Sequence, residues 1–567
     1  MADSDNGKIR SLLRNEVGTV YKPHADRLRI ALAFPNTYNV GMSSLGFQTI
    51  YRILNDRDDT VCERVFLPDD YKSRTDSLVT MESQTPVRDF DLLAFSLSFE
   101  MDYPNIIRMM NLAGVEPLSA ARKELTRQPI VIAGGPAVTF NPEPLADFFD
   151  VFVIGEAEGV LDRIIDVMRI KADYDYDQFL AELAQIDGIY VPALYTPIYG
   201  DDGTISCMES GEGVRPSVKR NWSRTNPPAS TVVFTPNTEF SDMILVEVAR
   251  GCGRMCRFCA AGFTYLPARP SDPDAVLDAI HACVDGNRRV GLMSASVFDH
   301  ESSSAICRAL IEEGIGFSIS STRADTLNKE TADLLMGGGH KTLTIAPEAG
   351  SERMRAVINK TITHDDILNA ARSAWDSGFR RLKLYFMIGL PTETDADICA
   401  IIDLTAEIAD LHKWRKISVS VSCFVPKPGT PFQWAPMDNE KSLVRKLSVI
   451  GKRLRLLKGV DFHNESPRQA MIQGALSRGD RHLGQALLAY AGSKMSWNAA
   501  FREAGIDPAF YAERIRRDDE VFPWDHINLG VRKSFLLNEF HRALKGETSI
   551  GCSNGVCRKC GVCVELC

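Results

Sequence analysis

Arg250-Gly251-Cys252-Gly253-Arg254-Met255-Cys256-Arg257-Phe258-Cys259 follows directly on the apolar run ILVEVA (244–249) and spaces three cysteines as C-x3-C-x2-C. Three thiolates this close can hold three irons of a 4Fe–4S cluster, which normally takes four cysteines. One iron is then left open, by the logic that makes an open position on zinc catalytic. Structural zinc is the competing reading, but the loop has no fourth Cys or His beside it. Downstream come further strand-like runs separated by helical text: VGLMSAS (290–296), FSISST (317–322), KTLTIAP (341–347), RLKLYFMIG (381–389) and ISVSVSCFV (417–425). Six strands alternating with helices predict a partial (β/α)6 barrel over 241–440, like a TIM barrel left open on one side. Active sites of such barrels lie at the strand C-termini, where this loop falls.

Upstream, LRIALAF (28–34), LLAFSLSF (92–99), PIVIAGG (129–135) and FVIG (152–155) read as buried parallel strands, with helical stretches such as NIIRMMNLAGV (105–115) between them. The alternation predicts an α/β, doubly wound, Rossmann-like domain over 28–171. Such sheets take ligands at the carboxyl ends of their strands. Gly134-Gly135-Pro136 and Gly155-Glu156 are the glycine turns that fall there. Residues 1–27 are polar and aperiodic and read as a frayed tail. Residues 172–240 read as a connector with short strands such as IYVPALY (189–195), 441–548 as a basic and mostly helical region, and 549–567 as a cysteine-rich tail.

The 567 residues are 44% hydrophobic and 25% charged, which excludes collagen-like and wholly disordered classes. No run of about 18 apolar residues is present, so no spanning helix is expected. The opening MADSDNGKIRSLLRN lacks an apolar signal region, and a cytoplasmic home with no membrane partner is expected. Eight of the 14 cysteines are clustered, which in a reducing compartment points to metal rather than disulfides. Net charge is -9, yet residues 441–545 carry 19 Lys and Arg against 11 Asp and Glu, a local +8. That module suits a polyanion such as RNA or a nucleotide; solvated helix faces are the plainer explanation.

The triplet, with an aromatic residue (Phe258) before its third cysteine, resembles the signature of the radical S-adenosylmethionine (SAM) superfamily. The resemblance extends to SSTRAD (320–325), APEAGSER (346–353) with VINK (357–360), and KLYFMIGLPTE (383–393). It implies that Cys252, Cys256 and Cys259 ligate a catalytic 4Fe–4S cluster whose open iron chelates SAM. One electron from the cluster, supplied by a reductant such as flavodoxin or ferredoxin, then yields a 5′-deoxyadenosyl radical. Phe258, Ser320, Arg323 and Glu348 are the implied cofactor-binding residues; Gly389 and Pro391 read as turn formers.

Residues 134–158 closely resemble the later half of the cobalamin-binding domain fused to radical SAM barrels in one class of the superfamily. That fold carries D-x-H-x-x-G after its first strand, with the histidine on cobalt; here Asn36-Thr37-Tyr38-Asn39-Val40-Gly41 puts Tyr38 in its place. Cobalamin is therefore expected either without histidine ligation or not at all, the domain then being a scaffold. Tyr38, Gly134, Gly135, Gly155 and Glu156 are its candidate contacts.

At the C-terminus, Cys557, Cys560, Cys563 and Cys567 repeat the bacterial ferredoxin spacing. Cys552, Cys557, Cys560 and Cys563 form a second four-ligand set, preferred because a ligand at the last residue frays. An auxiliary 4Fe–4S cluster or a structural zinc is expected there. Later landmarks, SCFVPKPGTPFQW (422–434), RGDR (478–481) and the Trp524-Asp525-His526 triplet, extend the resemblance to a family of cobalamin-domain-fused radical SAM proteins. It implies an enzyme that modifies an unactivated position, by methylation where cobalamin is present. The alternatives are radical SAM chemistry without cobalamin, such as sulfur insertion or rearrangement, and a non-catalytic iron–sulfur or RNA-binding factor.

Overall fold

The computed structural model describes residues 2–69, 71, 77–170, 175–224, 227–283, 289–412, 415–552, 557 and 559–565. The chain divides into two compact units. The first comprises Met1–Asp242 with Leu476–Asp507 and Asp519–Gly530; the second comprises Met243–Ala475 with Pro508–Asp518 and Val531–Cys567. The 172 boundary expected for the connector lies outside the described residues.

In the first unit, strands β1 (Leu28–Phe34), β2 (Thr60–Phe66), β3 (Leu92–Ser96), β4 (Ile130–Gly134), β5 (Val151–Val153) and β6 (Ile189–Tyr190) form one sheet in the order β2-β1-β3-β4-β5-β6. Pairings through β5 are parallel and β6 closes the edge antiparallel. This is the doubly wound layer, its strands mostly apolar and buried because both faces are covered. β2 is absent from the sequence reading because TVCERVF carries Glu63 and Arg64, yet all seven residues are buried.

Three expected boundaries are corrected. Residues 1–27 are not a loose tail: Ala2–Arg14 is helical, Val17 bridges Phe234, and Glu16 pairs with Arg64 at 2.7 Å. The stretch from 172 to 240 is more than a connector, since it supplies β6 and the hairpin Tyr195–Tyr199/Ile205–Ser210. The basic region 441–548 is not one module, because its segments alternate between the two units. In the first unit Arg481 binds Glu143 at 2.8 Å, and Asn141 Nδ2 donates to the carbonyls of Ser477 and Gly479.

The second unit is the open barrel. A three-stranded sheet (Ile244–Glu247, Val290–Met293, Phe317–Ser318) is joined through the parallel bridge Thr322–Ile345 to a four-stranded one (Thr342–Glu348, Arg381–Ile388, Lys416–Cys423, Val460–Asn464). All seven strands run parallel and in chain order. The seventh, Val460–Asn464, lies beyond the expected barrel boundary; its residues are mostly exposed, so it has no apolar run to announce it. Two strands alternate buried with half-buried residues, which places Lys383, Tyr385 and Met387, and Ser418, Ser420 and Ser422, on one face. No helix among the described residues is long and apolar enough to cross a membrane.

Candidate active site

The cysteine loop leaves the first barrel strand through Gly251, whose φ is +84°; a Cβ there would lie 2.2 Å from the Tyr265 carbonyl oxygen. Only glycine fits that turn. Cys259 N–H donates to the Cys256 carbonyl at 3.0 Å, a tight turn between the second and third cysteines. Met255, between them, takes φ +56° without being glycine. Asn359 holds it there, its Nδ2 donating to the Met255 carbonyl at 3.1 Å. Backbone held in this sparsely populated region persists only where the surroundings over-determine it.

Arg257 turns away from the thiols and is wholly buried. Its backbone N–H donates to the Ile358 carbonyl, and its guanidinium to the Ala356 and Val357 carbonyls and to Glu539 Oε2 at 2.9 Å. Glu539 lies on the helix Lys533–Leu544 and also takes the Ser549 hydroxyl. Phe258, expected at the cofactor, packs against the cluster of Ala349, Met354, Val357 and Ile358. Loop, VINK segment and C-terminal helix thus form one clamp.

Burial pushes all three thiols up, Cys259 to about 12. A thiolate ligand must be ionised, so binding iron here releases protons. Lys360 and Arg323 oppose burial at Cys256. Arg323 forks onto Asp325 with both contacts at 2.9 Å, and Arg254 pairs with Asp299. Glu348 stands at the end of the fourth barrel strand with φ +67° and binds Lys360 Nζ at 2.9 Å. Ser320 is exposed beyond the third strand. Arg323 and Glu348 therefore lie with the triplet at the strand ends. Lys360, Asn359, Arg257 and Glu539 carry no local signal of these roles, since nothing in the spacing of VINK tells which of its side chains face the loop. Gly389 (φ +81°) is a turn former as expected, its N–H held by Glu393 Oε2 at 2.8 Å.

The model of radical SAM proteins, N-terminal, matches residues 46–192, and the model of the radical SAM superfamily matches residues 246–405. An uncharacterized protein of Methanocaldococcus jannaschii is 32% identical over 466 residues, covering 81% of this chain and 90% of that one. The chain belongs to the radical SAM superfamily. A tRNA-2-methylthio-N(6)-dimethylallyladenosine synthase of Coxiella burnetii is 26% identical over 238 residues, 37% of this radical SAM protein and 50% of the synthase. This radical SAM protein thus spans about half the length of that relative. A solved radical SAM methyltransferase, TsrM of Kitasatospora setae with cobalamin and a [4Fe-4S] cluster bound, shares 12% identity at TM-score 0.45 over 70% of this chain and 75% of that one.

The triplet fits a 4Fe–4S cluster by donor chemistry: three soft thiols on one tight loop with two basic groups facing them. Among the described residues no three His, Cys, Asp or Glu side chains converge as ligands of a single ion would. A cubane instead takes each cysteine on a different iron. In the tail, Cys560 is buried and Cys552, Cys557 and Cys563 are half-buried; Lys559 N–H points at Cys557 Sγ at 3.5 Å. The neighbouring Cys552 and Cys557 add to burial in pushing Cys560 up. Cys567 lies outside the described residues.

In the radical SAM protein's doubly wound unit the expected cofactor contacts are engaged by the chain's own atoms. Tyr38 is buried against Phe66 and its hydroxyl donates to Glu16. Burial and that carboxylate hold its phenol well above the usual tyrosine range. A Cβ on Gly135 (φ +111°) would lie 2.5 Å from the Leu97 carbonyl oxygen, and one on Gly155 (φ +99°) 2.2 Å from that of Asn221. Gly134 accepts from Leu97 N–H. Glu156 accepts Ser223 N–H at 2.9 Å, and its backbone binds Asn221. All five of these residues are thus held within the chain itself. Trp524 and His526 are buried, the latter ring 4.7 Å from that of Tyr190, while Asp525 accepts the Phe522 N–H: packing rather than a substrate wall.

Proposed function

We propose that this protein is an oxygen-sensitive enzyme that reductively cleaves SAM and uses the resulting radical to modify an unactivated position of its substrate. The observation that carries it is the loop of Cys252, Cys256 and Cys259 at a barrel strand's C-terminal end, with Arg323 and the Glu348–Lys360 pair acting electrostatically on those thiols. A 4Fe–4S cluster bound there supplies the electron that cleaves SAM. The chain's own residues do the rest. Asn359 and Arg257 hold the loop in shape, Glu348 and Arg323 offer complementary charges to a zwitterionic ligand, and the half-buried strand faces line the barrel interior.

Anaerobic reconstitution with SAM and a low-potential reductant is the test. 5′-Deoxyadenosine is expected from the native chain and not from Cys256→Ala. S-adenosylhomocysteine alongside it supports methyl transfer; its absence supports sulfur insertion or rearrangement. A Cys256→Ala chain that retains biological function overturns the enzyme reading in favour of a non-catalytic factor.

For substrate, RNA or a nucleotide is favoured. The Coxiella burnetii relative is named for a modified tRNA adenosine. In this chain, Val444, Leu447, Gly451 and Phe462 line a cleft of about 280 Å³ flanked by Lys452 and Arg455. An apolar floor beside two cations suits a stacked base and its phosphate. Binding of tRNA should weaken steeply with salt, and Lys452→Glu/Arg455→Glu should flatten the slope by about 2. A salt-independent affinity would exclude the polyanion.

A further inference from the structure

The C-terminal tail does not end clear of the cysteine loop. Ser549 N–H donates to Asn359 Oδ1 at 2.8 Å, the same Asn359 whose amide holds Met255. The Ser549 hydroxyl binds Glu539, the partner of Arg257. Three residues on, Cys552 N–H donates to the Gly253 carbonyl at 2.6 Å. The approach is close enough that a Cβ on Gly253 would lie 3.0 Å from the Cys552 carbonyl oxygen, and one on Gly551 2.7 Å from that of Gly253. Farther along, Arg532 N–H donates to the Cys560 carbonyl at 2.9 Å, and Gly561 (φ +100°) passes where a Cβ would meet the Arg532 side chain at 2.7 Å. Glycine at 551 and 561 is thus what the docking requires.

Gly253 is the residue after Cys252, and Cys552 is the first of the four described tail cysteines. One hydrogen bond therefore joins Gly253, the residue next to a ligand of the first set, to a ligand residue of the second. We propose that Cys552, Cys557, Cys560 and Cys563 hold a second 4Fe–4S cluster that passes electrons to the first along Cys552 N–H···O=C Gly253. This rests on the radical SAM reading of the triplet. The step is a one-electron exchange in which no covalent bond changes: the tail centre is oxidised, the loop centre is reduced, and a low-potential one-electron donor of the flavodoxin or ferredoxin class replenishes the tail.

The test uses the full chain, reconstituted anaerobically, beside a Cys557→Ser/Cys560→Ser variant that leaves Cys552 and its bond in place. Native protein should carry about twice the iron of the variant. Its reduced electron paramagnetic resonance spectrum should be broadened by spin–spin interaction, and the variant's should be the sharp signal of one cluster. Reduction of the loop cluster by photoreduced flavodoxin should slow about tenfold or more in the variant, while its signal still shifts on adding SAM. That shift keeps the two readings apart, since its loss from both proteins would sink the radical SAM assignment itself. Zinc in the native tail overturns the relay, as does a second cluster with no broadening and an unchanged reduction rate. Where the variant proves insoluble, metal content and broadening in the native protein decide alone.

Discussion

Asp102 ends the short turn before the helix Tyr103–Ala113, and burial pushes its carboxyl up to about 6 against the single hydrogen bond from Asn36 Nδ2 at 2.9 Å. Its folded value lies above its unfolded one, so the folded state binds the extra proton. Stability is therefore lost as pH rises from about 4 to about 6 and is flat above that. Asp102→Asn should be more stable than the native chain at pH 7.5 by about 2–3 kcal/mol and equal to it at pH 4, as read from urea midpoints. Asn359→Ala removes the bond that holds Met255 at positive φ. It should lower 5′-deoxyadenosine formation about 100-fold while iron content stays near native, because misplacing a reacting group by about 1 Å costs on that order. Tyr38→Phe removes the donor to Glu16 and the hydroxyl's hydrogen bond with Thr235. Any corrinoid absorbance of the reconstituted protein should be unchanged by it; a changed spectrum would return Tyr38 to the cofactor. At this scale the triplet was legible because C-x3-C-x2-C is local in sequence. Lys360 and Asn359 were not, because their meaning lies in a contact about 100 residues away.

Among the elements, β2 and the N-terminal segment explain each other. Arg64 in β2 is essentially unexposed and is matched by Glu16 and Glu82, both at 2.7 Å. A buried cation tolerates that position only while its carboxylates are present. Deleting residues 2–18 should thus destabilise the first unit by about 3–5 kcal/mol, the cost of stranding one partner of a buried pair, instead of trimming a neutral tail. Urea denaturation of the truncated chain checks this, and an unchanged midpoint would show that the pair stabilises little. The strands of the two main sheets found from sequence were those with a continuous apolar run or apolar residues at every second position. Two that escaped, Thr60–Phe66 and Val460–Asn464, carry charged or polar residues for opposite reasons, one because its charges are paired inside and the other because its residues are mostly exposed.

For the whole molecule, the chain after Ala475 serves both units in turn. A fragment ending at 242 lacks Arg481, leaving Glu143 (0% exposed) with Tyr190 alone of its two closest partners. It should be insoluble or protease-sensitive, and co-expression with 476–530 should improve it; a stable, compact 1–242 fragment would contradict this. The sequence by itself determined the superfamily, the doubly wound layer, the open barrel and the cysteine triplet at its mouth. Each is written in local signals, alternation of apolar runs or fixed spacing of soft ligands, that need no distant partner to be read. Only the tertiary structure decided that the N-terminal segment is built in, that the glycine turns of the first sheet receive the chain's own backbone, and that Cys552 docks on the loop of the first cysteines. Those are pairings between residues tens to hundreds of positions apart, and chain separation erases them from any local pattern.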